Sequence, residues 1–164
     1  MPSPSIPHLK RYAAIIDALA AQVPAILPAR YATTVGAQDE LAFILGARNA
    51  ALRGRLRAVS GRVQMTIRIV APPQPPARRP QSGTEYLRQR LVAAPALEPI
   101  QAAVRADVSE SHVERKHDIV TVNHLVRRTA VPRYCRSVER AAAQHHVRLV
   151  VTGPRPPYAF ADTW

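Results

Sequence analysis

Cysteine is almost absent from this 164-residue chain, and Cys135 stands alone. No intramolecular disulfide can form, and such sparing use fits a reducing compartment. Glycine is also scarce, with six isolated residues. That excludes the phosphate-cradling loops, since neither a P-loop nor a G-x-G-x-x-G run is present. No apolar run approaches the length of a membrane span. The segment Lys10–Ala29 mimics a signal peptide, but Asp17 and Gln22 interrupt it and helical periodicity accounts for it better. The expectation is a cytoplasmic, soluble protein with no membrane association.

Enzyme signatures are missing as well. Ser60, in Val59-Ser60-Gly61, is not a nucleophile elbow. Arg133 and Arg136 flank Cys135 and would lower its thiol pKa, yet its helical setting favours a structural role. His112, His117 and His124 fall in one candidate hairpin. Pairing about Lys116-His117 would bring His112 and His124 together on adjacent strands, with Glu110 and Glu114 close by. The ligand set lacks a Cys partner and an H-x₃-H helix, so no metal site is expected. No catalytic residue, cofactor or small-molecule substrate is expected.

What is present is positive charge. Arg and Lys number 23 against 11 acidic residues, for a formal net charge of +12. Such a balance suits an acidic partner, with nucleic acid among the options. Only Lys10 and Lys116 are lysines, and the arginine excess equally fits a GC-rich coding sequence.

The chain opens with Ser5 and Pro7 as a cap and first-turn proline. Leu9, Tyr12, Ile16, Leu19 and Val23 then predict an amphipathic helix over about 7–22. Residues 25–31, bracketed by prolines, read as an edge strand or extended connector. Asp39 and Glu40 open a second helix reaching Val59, with Leu41, Ile44, Leu45, Leu52, Leu56 and Val59 as its buried stripe. Arg48, Arg53, Arg55 and Arg57 occupy its other surface, as a solvated face or a basic docking face.

Val63, Met65, Ile67 and Ile69 alternate with Arg62, Gln64, Thr66 and Arg68, predicting a strand with one dry face and one wet face. The proline-rich run 71–81 reads as a semi-rigid linker. Ser82 and Glu85 form a capping box for a helix interrupted by Pro95 and Pro99, with a second piece over about 97–105. Strands follow over 107–115 and 119–126, then a helix over 132–145 and a strand over 147–152. Three prolines in Pro154-Arg155-Pro156-Pro157 should stop that strand and hold Tyr158, Phe160 and Trp164 in place.

From residue 62 the order is strand, helix, strand, strand, helix, strand, the split βαβ or ferredoxin-like pattern of an α+β protein. The expected division is a reduced N-terminal α+β part, 1–70, the linker 71–81, and a ferredoxin-like part, 82–164. Which sheet owns strand 62–70 stays open. A ferredoxin-like basic domain raises nucleic-acid binding as the alternative function. Strands 62–70 and 147–152, however, carry no aromatics on which bases could stack.

Three blocks point to one family. Thr152-Gly153-Pro154-Arg155-Pro156-Pro157-Tyr158-Ala159-Phe160 resembles the C-terminal signature of the GvpF/GvpL gas vesicle accessory proteins, Gly-Pro-Trp-Pro-Pro-Tyr-Ser-Phe. Ser82-Gly83-Thr84-Glu85-Tyr86-Leu87-Arg88-Gln89-Arg90 is similar to the family's Ser-Gly-x-x-Tyr-Leu-x-x-Arg helix start, and Ile26–Tyr31 to its Leu-Pro-x-Arg-Phe segment. Departures are Arg155 for the motif's Trp, Ala159 for its Ser, and a start at the first helix where the family has a strand. The resemblance implies a non-enzymatic role in gas vesicle assembly, with the apolar wall protein or other vesicle accessory proteins as partners. Gly153, Pro154, Arg155, Pro156, Pro157, Tyr158, Phe160 and Trp164 are then candidate partner-binding residues. The same motif could instead fold back and close the protein's own core.

Overall fold

A computed structural model describes residues 5–70, 97–116 and 119–161. The expected linker 71–81, the capping-box helix from Ser82, His117 and Trp164 lie outside the described residues. The elements are α1 (Ile6–Gln22), α2 (Gln38–Ala47), α3 (Asn49–Val59), β1 (Arg62–Val70), α4 (Leu97–Val104), β2 (Val108–Lys116), β3 (Ile119–Arg127), α5 (Val131–Gln144) and β4 (Leu149–Arg155). Short 3₁₀ turns cover Arg128–Ala130 and Tyr158–Phe160. The class is α+β: helices with a four-stranded sheet of order β2-β3-β1-β4.

The contacts gather into two compact units, Met65–Gly153 and Met1–Gln64 with Pro154–Trp164. The unit Met65–Gly153 holds the larger core. Met65, Ile67 and Ile69 of β1 join Val120, Val122 and Val126 of β3, Leu97, Ile100 and Val104 of α4, and Tyr134, Val138 and Ala141 of α5. The spacing 134, 138, 141 is one helical stripe, and the alternation along β1 is one sheet face. β1 lies between β3 and β4, which settles the ownership of strand 62–70.

That central place also corrects the expected wet face of β1. Gln64 and Thr66 are buried. A buried polar side chain needs a partner. Thr66 Oγ1 donates to Asn123 Oδ1 on β3 at 2.7 Å.

β2 and β3 pair antiparallel, with an irregularity between Val108 and Glu110. The two strands contrast in burial. β2 is a sheet edge, exposed from Ser109 to Lys116, whereas β3 is buried over most of its length. β4, at the other edge, runs through Pro154 to Arg155 and does not stop at Gly153 as expected. An edge strand accommodates proline because one row of its amides has no ladder partner.

In the unit built from Met1–Gln64 and Pro154–Trp164, the expected second helix is two helices. Arg48, at φ −107° and ψ 7°, ends α2 and begins α3. Asp39 and Glu40 do occupy the first turn of α2, and the Gly36 amide donates to Glu40 Oε2 at 2.7 Å. Of the expected buried stripe, Leu52 and Val59 are buried, while Leu41 and Leu45 are exposed. Helix α1 buries no residue. Residues 25–31 form a connector without strand pairing. It is tied down by Tyr12 of α1, whose hydroxyl donates to the Ala29 carbonyl and whose ring meets Tyr31 edge to face at 5.5 Å.

Candidate functional site

The C-terminal motif is built from the backbone outward. Gly153 sits at φ 132°, a region that disfavours residues with a Cβ. Pro156 and Pro157 are buried, and the Tyr158 amide turns back onto the Pro156 carbonyl at 2.8 Å. A 3₁₀ turn follows, closed by Phe160 N–H to the Pro157 carbonyl at 3.1 Å. Fixed proline φ values leave this segment few alternatives.

Phe160 is 2% exposed. Arg55 of α3 donates through Nε to the Phe160 carbonyl at 2.6 Å, and its guanidinium lies 5.8 Å from the ring centroid. Gln64 Oε1 accepts the Ala159 amide at 2.8 Å. Phe160 therefore closes a core, while Arg155 is exposed and Tyr158 half-buried. Of the arginines read as a basic face, Arg55 turns onto the motif and Arg53 bonds Asn49 Oδ1 of its own helix at 2.6 Å. Arg48, Arg53 and Arg57 are exposed.

The motif also walls a cavity of about 620 Å³. Leu9, Tyr12 and Ala13 come from α1; Pro28, Ala29, Arg30 and Tyr31 from the connector; Arg155, Tyr158 and Ala161 from the motif. Sequence reasoning missed this cavity. The available signal was the pair of Tyr- and Arg-bearing blocks at 30–31 and 155–158, with no indication that they meet. The Tyr158 hydroxyl is buried without a hydrogen-bond partner among the described residues. Burial raises its pKa, as do Asp17 and Tyr12, while Arg155 opposes them. An orphaned buried hydroxyl costs roughly 1–3 kcal/mol.

The histidines go to separate environments. His112 lies opposite Asn123, exposed and 3.4 Å from Glu114. His124 lies opposite Ser111 and is buried, with Nδ1 2.8 Å from the Tyr134 hydroxyl. The two lie on adjacent strands one register step apart, as expected, but one is exposed and the other buried, and no metal-competent cluster occurs among the described residues. Burial pushes the His124 imidazole down to about 4. The Cys135 thiol is pushed up, by burial and then by Glu139, which corrects the expected influence of the neighbouring arginines. Arg133 instead grips the Asp107 carboxylate with both Nε and Nη2.

Fold and site together describe an α+β protein whose rigid C-terminal segment closes one unit and walls an open cavity in it. The family model described as gas vesicle synthesis protein GvpL/GvpF matches residues 4–96 and 85–162, and the chain belongs to that family. Its fold is similar to crystal structures of gas vesicle protein GvpF from Microcystis aeruginosa (TM-score 0.78, 14% identity, covering 98% of this chain and 80% of that one) and from Anabaena sp. PCC7120 (0.77, 15%, 99% and 80%). Among curated proteins nothing matches. Among the described residues no helix is long and apolar enough to cross a membrane.

Proposed function

We propose that this chain is a non-enzymatic accessory protein of gas vesicle assembly, working in the cytoplasm and at the vesicle by binding the apolar wall protein or another accessory protein. The observation that carries this reading is the family match over residues 4–96 and 85–162. Apolar side chains left in solvent support it: Phe43 on α2 is 77% exposed, and Ile6 and Ile15 of α1 are exposed too. Such side chains suit a partner that is itself apolar. The finer fold assignment, a ferredoxin-like split βαβ, draws support from the strand order β2-β3-β1-β4 and from α4 and α5 following β1 and β3.

Co-expression with the wall protein tests the proposal. The intact chain should keep wall protein soluble and co-purify with it, and Phe43→Ser should weaken capture without unfolding the chain. Absence of capture by the intact chain, with salt-sensitive retention of RNA or DNA in its place, would favour a nucleic-acid module. Deleting the chain from Gly153 onward is a poorer test, because it removes the buried Phe160.

A further inference from the structure

We infer that the tyrosine-lined cavity is a docking site for a partner peptide that presents a carboxylate beside an apolar side chain, with Arg30 and Arg155 as the charge clamp. This rests on the partner-binding reading above and supplies its chemistry. The volume, about 620 Å³, is that of a site for a few side chains. Its walls are pre-organised, since Tyr12 is fixed by the Ala29 carbonyl and by the Tyr31 ring. The ordering entropy lost on binding then falls mainly on the two arginines and the peptide.

The charge pattern selects the ligand. Arg55 and Arg133 are spent on Phe160 and Asp107. Arg30 and Arg155 are exposed, line the cavity, and make no side-chain hydrogen bond or ion pair among the described residues. No Asp or Glu lines the cavity; Asp17, whose charge reaches the Tyr158 hydroxyl, is outside the lining. Two arginines among the residues lining a cavity that also has Tyr12, Tyr31 and Tyr158 in its walls fit a planar carboxylate attached to an apolar chain. The buried Tyr158 hydroxyl lacks an acceptor, which an incoming oxygen would supply.

The test is selection of random dodecapeptides on the full chain, followed by fluorescence anisotropy with the enriched peptides. Enriched sequences should carry Asp or Glu next to a large apolar residue. Changing that acid to its amide should cost about tenfold in Kd, as should Arg30→Gln or Arg155→Gln. The amide peptide should bind both variants as it binds the parent chain. Tyr158→Phe should weaken binding less, with an unchanged circular dichroism spectrum in every case.

Enrichment without acidic residues, equal binding by an Arg30→Gln/Arg155→Gln double variant, or no enrichment at all would overturn the inference. So would displacement of the peptides by single-stranded DNA at equal concentration. If a chain ending at Ala161 binds far tighter than the full chain, the occupant is the protein's own end and the partner assignment falls. Wall-protein capture that survives the double variant removes the site but not the assembly reading. Peptide binding without capture of wall protein or of any other vesicle accessory protein does the reverse.

Discussion

The two compact units meet the demand for burial in different ways. In Met65–Gly153, twelve side chains from two strands and two helices form one apolar cluster. In the other unit, α1 and α2 bury nothing, and closure rests on a few residues: Leu52, Val59, Val63, Phe160 and Ala161. There, polar contacts from Arg55 and Gln64 to the C-terminal segment do part of the work that packing does in the other unit. One unit is closed by a single apolar cluster. The other keeps apolar surface and a cavity accessible.

Mutations should expose that difference. The largest loss is expected from Ile100→Ala, which opens a hole in a fully buried cluster and should cost about 4 kcal/mol in chemical denaturation. Phe160→Ala should cost about 3 kcal/mol. Its effect on amide exchange should concentrate in α3 and residues 156–161, leaving β3 and α5 protected. Equal loss of protection in both units would break the comparison.

A pH dependence should come from His124, buried beside Tyr134. Its folded pKa is about 4, below the ordinary 6.5, so the unfolded chain binds the proton more readily. The stability held by neutral His124 is complete above pH 6.5 and falls as pH drops toward 4, by roughly 1.4 kcal/mol per unit. His124→Gln should flatten that slope, read from unfolding midpoints over pH 4–7. The smallest effect is expected from Arg55→Ala, about 1 kcal/mol, through the lost hydrogen bond and ring contact with Phe160.

Much of the sheet was legible because its signals are local. The alternation of Val63, Met65, Ile67 and Ile69 placed β1, and Pro132 with Val138 placed α5. The burial of Gln64 and Thr66 was not legible, since it depends on β1 being central and on partners 95 and 57 residues away. The break at Arg48 carries no proline, and its one marker, Gly46, is a residue that helix interiors also tolerate, so the apolar period runs through it. At the site, the proline segment announced a rigid aromatic carrier. It could not announce that Phe160 faces α3 while Tyr158 and Arg155 face the cavity with Tyr12 and Arg30. Spatial pairing across more than a hundred residues leaves no trace in either block alone.

The two borders of the sheet bear on solubility. β2 offers Glu110, Glu114, Arg115 and Lys116 to solvent, and β4 ends in Pro154 and Arg155. Charges of both signs and a missing amide make poor templates for an added strand. Neither border of the sheet thus invites a second copy of the chain to add to it strand by strand.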